Sequence, residues 1–148
     1  MRDSEITSSE HRKNQTRELY TGTYRNYTAN PFHPPYVGNQ EYFENVGKLS
    51  WKKETDFHDP GGHEEGRLYI NGVWSKEEEH LKHARDTMNN SDYIALKFSA
   101  SEVNGVFGYL GTPYVVYVTV NGIPLDHSEK GDDILFDGQG MSFINVER

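Results

Sequence analysis

The chain has 148 residues, a formal charge of −8 and no cysteine. That length suits one domain around one core. The acidic balance, with no basic cluster beyond the pairs Arg12-Lys13 and Lys52-Lys53, excludes nucleic acid as a partner through repulsion by the phosphate backbone. The missing cysteine excludes thiol nucleophiles, disulfide exchange and thiolate metal sites, and no apolar run approaches the ~20 residues of a membrane-spanning helix or forms the core of a secretory signal.

Residues 1–16 contain Ile6 as their only large apolar side chain besides Met1, too little to offset the entropy of ordering, so they read as a disordered tail or a severed linker. The globular pattern covers residues 17–148. Residues 16–27 alternate loosely and predict a first strand. Pro31, Pro34 and Pro35 then force an irregular, aromatic-rich loop over residues 30–36, because proline cannot donate to a ladder. A helical turn is expected over residues 41–46, a brief strand over 48–51, a turn over 58–63 and a strand bent at Asn71-Gly72 over 68–74. Residues 75–88, read locally, form a helix: Ser75 and Glu78 make a capping box, and Leu81, Ala84 and Met88 lie at helical spacing. Alternation resumes over residues 92–98, and strands are expected over 102–110 and 114–120. The second ends at Asn121-Gly122, a dipeptide suited to the positive φ angles of a tight hairpin turn. A last hairpin joins residues 133–136 to 141–146 across Asp137-Gly138-Gln139-Gly140. Eight or nine short strands at this spacing predict an all-β, two-sheet sandwich.

Candidate chemistry is sparse. His58 with His63 and His80 with His83 are the tightest histidine pairs. His63-Glu64-Glu65-Gly66-Arg67 opens like a zinc-protease helix, but Arg67 stands where the second histidine belongs. No metal ligand set and no cofactor is assigned. Asp132, Asp133 and Asp137 lack the ordered spacing of a calcium loop and read as turn formers. There is no nucleophile elbow, phosphate-binding glycine loop or dinucleotide fingerprint, and a carboxylate pair for glycoside hydrolysis has no positive support. The chain therefore reads as non-catalytic, with a sandwich hydrolase or metal-dependent isomerase as the rival. Aromatics make up 13% of the sequence, more than a core of this size needs, so some rings lie at the surface or line a groove. Tyr24, Tyr27, Phe32 and Tyr36, with Trp51, are the candidate ligand-binding residues. They either stack on sugar faces or a partner protein, or cap the open end of the sandwich.

Four stretches in order also carry a family likeness: residues 16–22 (Thr-Arg-Glu-Leu-Tyr-Thr-Gly), Leu68 through Gly72-Val73-Trp74, residues 94–104, and Gly131-Asp132-Asp133 through Phe143-Ile144-Asn145-Val146. Together they resemble the C-terminal domain that follows the thioredoxin-like domain of DipZ-type and related redoxins. The resemblance implies a jelly-roll sandwich of galactose-binding-like type, similar to carbohydrate-binding modules. It implies that the segment between Trp74 and Tyr93 is largely extended and paired in the sheet, which overrides the local helical reading. It also implies an accessory role in which the redox chemistry belongs to a covalently linked Cys-x-x-Cys domain. Carbohydrate or that linked domain is the expected partner; a structural protein-interaction domain is the alternative.

Overall fold

A computed structural model of the protein describes Gln15, Thr16, Leu19, Thr21 and residues 54–148. Every regular element among them is a strand, every strand pairing is antiparallel, and no helix is present. This is the all-β class expected, consistent with a sandwich. The strands expected over 16–27 and 48–51, the helical turn over 41–46 and the proline-rich loop fall largely or wholly outside the described residues. The described residues divide between Glu102 and Val103 into two compact units.

In the first unit, β1 (Glu54–Phe57), β3 (Leu81–His83) and β4 (Tyr93–Leu96) all pair with β2 (Leu68–Lys76). The first half of β2 runs against β4, with Leu68 opposite Leu96 and Asn71 opposite Tyr93. The second half runs between β1, where Phe57 faces Gly72, and β3, where Trp74 faces His83. Side chains on both faces of β2 are buried, Leu68 and Ile70 on one and Tyr69 on the other. Phe57 and Ile70 form the centre of the core, with Trp74 and Leu81 packed against them. Each such buried side chain contributes about 1.5–3 kcal/mol.

The switch between partners falls at Gly72, whose φ of +101° lies outside the range of ordinary strand residues. Strands that pass from one sheet to another do so at bends of this kind. A side chain there would also have no room: a Cβ would stand 2.0 Å from Cγ and 2.1 Å from Oδ1 of Asp92.

The helix suggested by local spacing over residues 75–88 is absent. Ser75 and Lys76 are buried as the last pairs of β2, Ser75 donates from Oγ to Glu77 rather than capping a helix, and the chain turns at residues 77–80 to enter β3. Sheet context overrides the capping-box pattern, as the resemblance implied. Pairing extends only as far as Ala84, whose N–H donates to Val73 O; residues 85–92 are irregular.

In the second unit, β5 (Tyr114–Tyr117), β9 (Ser142–Val146) and β8 (Leu135–Phe136) form a three-stranded sheet in the order β5-β9-β8. A separate ribbon pairs β6 (Thr119–Val120) with β7 (Ile123–Pro124). Asn121 and Gly122, at φ +54° and +75°, make the tight turn expected of that dipeptide. The expected single strand over 114–120 is broken at Val118, whose N–H donates to Ser142 O while β6 leaves to pair with β7. Ser142, fully buried, fixes the break: its Oγ accepts from Leu125 N–H at 2.9 Å and donates to Val118 O. The last hairpin is as expected, with Asp137 Oδ1 accepting from the N–H groups of Gln139 and Met141. Residues 102–110 form no strand. Gly105 and Gly108 interrupt them, and Val106, at 102% relative exposure, packs against nothing.

Candidate functional site

The densest polar arrangement among the described residues surrounds the bend of β2, where two loops deliver one aspartate each. The first loop follows β1. Asp59, whose side chain is 5% exposed, accepts from Gly61 N–H at 2.9 Å, from the Tyr93 hydroxyl at 2.8 Å and from His63, whose Nε2 lies 2.8 Å from both carboxylate oxygens. Glycine suits this loop because Gly61 and Gly62 adopt φ of +73° and +63°. His63 stacks on Tyr69 at 4.1 Å, and the Tyr69 hydroxyl accepts from Glu64 N–H, so the loop is closed on both sides.

The second loop precedes β4. Asp92 has no side-chain exposure and receives His83 Nε2 at 2.8 Å, Arg85 Nε at 2.7 Å and Nη2 at 2.6 Å, and Val73 N–H at 3.3 Å. His83 also lies against Trp74, the ring centroids 4.6 Å apart. Asn71 joins the two loops: its Oδ1 accepts from Asp59 N–H, its Nδ2 donates to Ser91 O, and its own carbonyl accepts from Trp74 Nε1.

The electrostatics follow from these donors. Burial pushes the Asp59 carboxyl up, but the bonds from Gly61, His63 and Tyr93 outweigh it and leave it below the usual carboxylate range. The Arg85 guanidinium, helped by His83 and the Val73 N–H against the cost of burial, holds Asp92 far lower. Desolvation and the neighbouring Asp59 push Tyr93 up, so its hydroxyl remains a donor at neutral pH. An ionised carboxylate only accepts, so His63 and His83 each donate from Nε2. With both oxygens of each aspartate already engaged, neither carboxylate is disposed to take a proton from a substrate; the arrangement acts as a latch that holds two loops to β2.

The histidine pairs singled out in the sequence do not converge. His58 approaches Asp56 only at 3.9 Å, His63 and His83 go to different aspartates, and the His80 carbonyl accepts from Glu77 N–H. Among the described residues no three His, Asp or Glu side chains gather as a metal site would require. The candidate ligand-binding residues Tyr24, Tyr27, Phe32, Tyr36 and Trp51 lie outside the described residues. Sequence reasoning missed Asp92 and Arg85 entirely; Asn71-Gly72, read only as a bend, was the available signal that something must approach the backbone there.

In the second unit, an open depression of about 560 Å³ is lined by Val120, Ile123, Pro124, Asp126, His127 and Glu129, among others. Its carboxylates are also engaged: Asp126 accepts from Ser128 N–H and Glu129 from Asp126 N–H.

No curated protein and no solved structure matches the chain. A family model described as the thioredoxin-like C-terminal domain matches residues 35–142, well over half the sequence, including the bent β2 and its latch. The chain belongs to the thioredoxin-like C-terminal domain family.

Proposed function

We propose that this domain, an accessory domain of a thioredoxin-like protein, is a non-catalytic binding module whose ligand class is carbohydrate. The observation that carries the non-catalytic reading is that the carboxylates held in fixed geometry among the described residues, Asp59, Asp92, Asp126 and Asp137, all accept hydrogen bonds from their own chain. They stiffen turns and loops, which is what a binding scaffold needs. With no cysteine in the sequence, thiol–disulfide exchange falls to the linked domain. Carbohydrate follows from Tyr24, Tyr27, Phe32, Tyr36 and Trp51, rings set among Asn, Gln and Pro residues whose apolar faces and polar neighbours suit the two kinds of surface a sugar presents.

Titration of a glycan panel against Trp fluorescence tests the reading. A saturable response lost in Tyr36→Ala and Trp51→Ala is expected, and it should persist in added salt because stacking is not screened. A flat response across the panel, or one indifferent to both substitutions, refutes carbohydrate binding. An insulin-reduction assay of the same protein should show no turnover.

A second reading, docking to another protein, is favoured by Val103, Val106 and Leu110, at 55%, 102% and 75% relative exposure. A protein that ignores all glycans but shifts the spectrum of its linked thioredoxin-like domain would establish it.

A further inference from the structure

The sequence sets one tetrapeptide pattern in three environments. Ile70-Asn71-Gly72-Val73, Val103-Asn104-Gly105-Val106 and Val120-Asn121-Gly122-Ile123 each place Asn-Gly between β-branched residues. Asn-Gly is the dipeptide most open to deamidation, because glycine has no Cβ to obstruct the attack of its nitrogen on the asparagine amide. With flanks so alike, the intrinsic reactivities are alike, and the fold decides between the copies. Asn71 is half-buried in β2 and pairs with Tyr93 of β4, while Gly72 pairs with Phe57 of β1. Its amide is held at both ends: Oδ1 accepts from Asp59 N–H at 3.1 Å and Nδ2 donates to Ser91 O at 2.9 Å. Asn121 is the reverse case. It is exposed, its side chain makes no hydrogen bond among the described residues, and it forms the turn of the separate β6–β7 ribbon. Pro124, opposite Thr119, has no N–H to give that ladder, and a two-stranded ribbon by itself is marginally stable. Ser142 ties Val118 and Leu125 at the base, so opening can be confined to residues 119–124. The copy at residues 103–106 lies outside every strand.

We infer that Asn121-Gly122 is a site of spontaneous deamidation, reached by local opening of the β6–β7 ribbon, whereas the fold spares Asn71-Gly72. The Gly122 nitrogen, its proton lost to base, attacks Asn121 Cγ. A cyclic imide closes as the new N–Cγ bond forms, the Cγ–Nδ2 bond breaks and ammonia leaves with the proton. Water then opens the imide at either carbonyl, giving aspartate or isoaspartate. Ring closure needs a rotation about the Asn121 Cα–C bond that the paired turn does not allow, so the ribbon must open first. The same rotation at Asn71 requires release of β2 from β1 and β4 together. Isoaspartate routes the chain through Cβ and Cγ and so lengthens the backbone of a two-residue turn, which cannot then keep the register of Val120 opposite Ile123. Either product also sets a new carboxylate in the depression that Asn121 lines, beside Asp126 and Glu129.

Ageing the full chain in mildly alkaline buffer and mapping its peptides by mass spectrometry reads each asparagine separately, without any substitution. Conversion at Asn121 should run at least about tenfold faster than at Asn71, since opening a ribbon is far easier than releasing a central strand. In urea strong enough to unfold the chain, the two rates should agree within about threefold, because only the flanking residues then matter. The product bearing isoaspartate at position 121, isolated chromatographically, should have lost hydrogen-exchange protection across residues 119–124 while keeping that of β2. Equal rates in the folded chain, an Asn121 that stays intact, a gap that persists undiminished in urea, or unchanged protection in the isoaspartyl product would each overturn the inference.

Discussion

Replacing Gly72 by alanine perturbs the bend of β2 in two separable ways. The backbone at φ +101° is one that side-chain-bearing residues rarely adopt, and holding alanine there costs about 1–3 kcal/mol. The new Cβ would also meet Asp92, with Cγ at 2.0 Å and Oδ2 at 2.6 Å, distances no packing tolerates. Asp92 must then move, and its carboxylate surrenders some of the bonds from His83, Arg85 and Val73; losing part of a desolvated, charge-assisted set costs about 2 kcal/mol. Gly72→Ala should therefore destabilise the protein by ~3–5 kcal/mol, a large share of a typical domain's stability. Asp92→Ala alone loses the bonds, about 2 kcal/mol, but also removes the Cγ and both oxygens that cause the collision. In that background Gly72→Ala should cost only the backbone strain, giving a coupling of ~2 kcal/mol in a double-mutant cycle read by urea denaturation. Additivity to within about 0.5 kcal/mol, or a single-mutant cost below ~1 kcal/mol, would refute the close approach of glycine and carboxylate.

The remaining expectations concern titration and the second unit. Burial lowers the Lys76 ammonium from 10.5 to about 8, so the folded state binds its proton less tightly than the unfolded chain, and stability should rise as pH climbs from about 8 towards 10. The gain is of order 1–3 kcal/mol, and Lys76→Met should flatten it in denaturation midpoints taken across that window. Asp59 and Asp92 titrate below the ordinary carboxylate value of 3.8, so their contribution is intact above it and fades only as pH falls further; Asp92→Asn should remove most of the slope of stability with pH between about 4 and 2. Ser142→Ala should cost about 1–2 kcal/mol by stranding Leu125 N–H and Val118 O, and hydrogen exchange at the Leu125 amide should quicken first. An unchanged amide there would mean that its bond to Ser142 Oγ is not what protects it.

The second unit was the more legible in sequence. Asn121-Gly122 announces its own φ angles, and Asp137-Gly138-Gln139-Gly140 its own turn, because local chemistry decides both. Residues 75–88 misled a local reading since a capping box is also a serine and a glutamate near a strand end, and only the long-range pairing of β2 with β3 chooses between them. Residues 102–110 misled in the opposite sense: apolar side chains suggested a strand, while Gly105 and Gly108 deny them a ladder. The latch was illegible for a third reason. Asp59 and Asp92 are 33 positions apart, and nothing in either loop marks them as neighbours until β2 brings Tyr93 opposite Asn71.

Because β1, β3 and β4 each pair with β2, every ladder among the described residues of the first unit runs through one strand. Any outer strand can open and reclose by itself, exposing its amides for an instant, but release of β2 dissolves all three ladders together. Its central amides should therefore exchange only when all three ladders open at once, and report the stability of that sheet in a single residue such as Ile70.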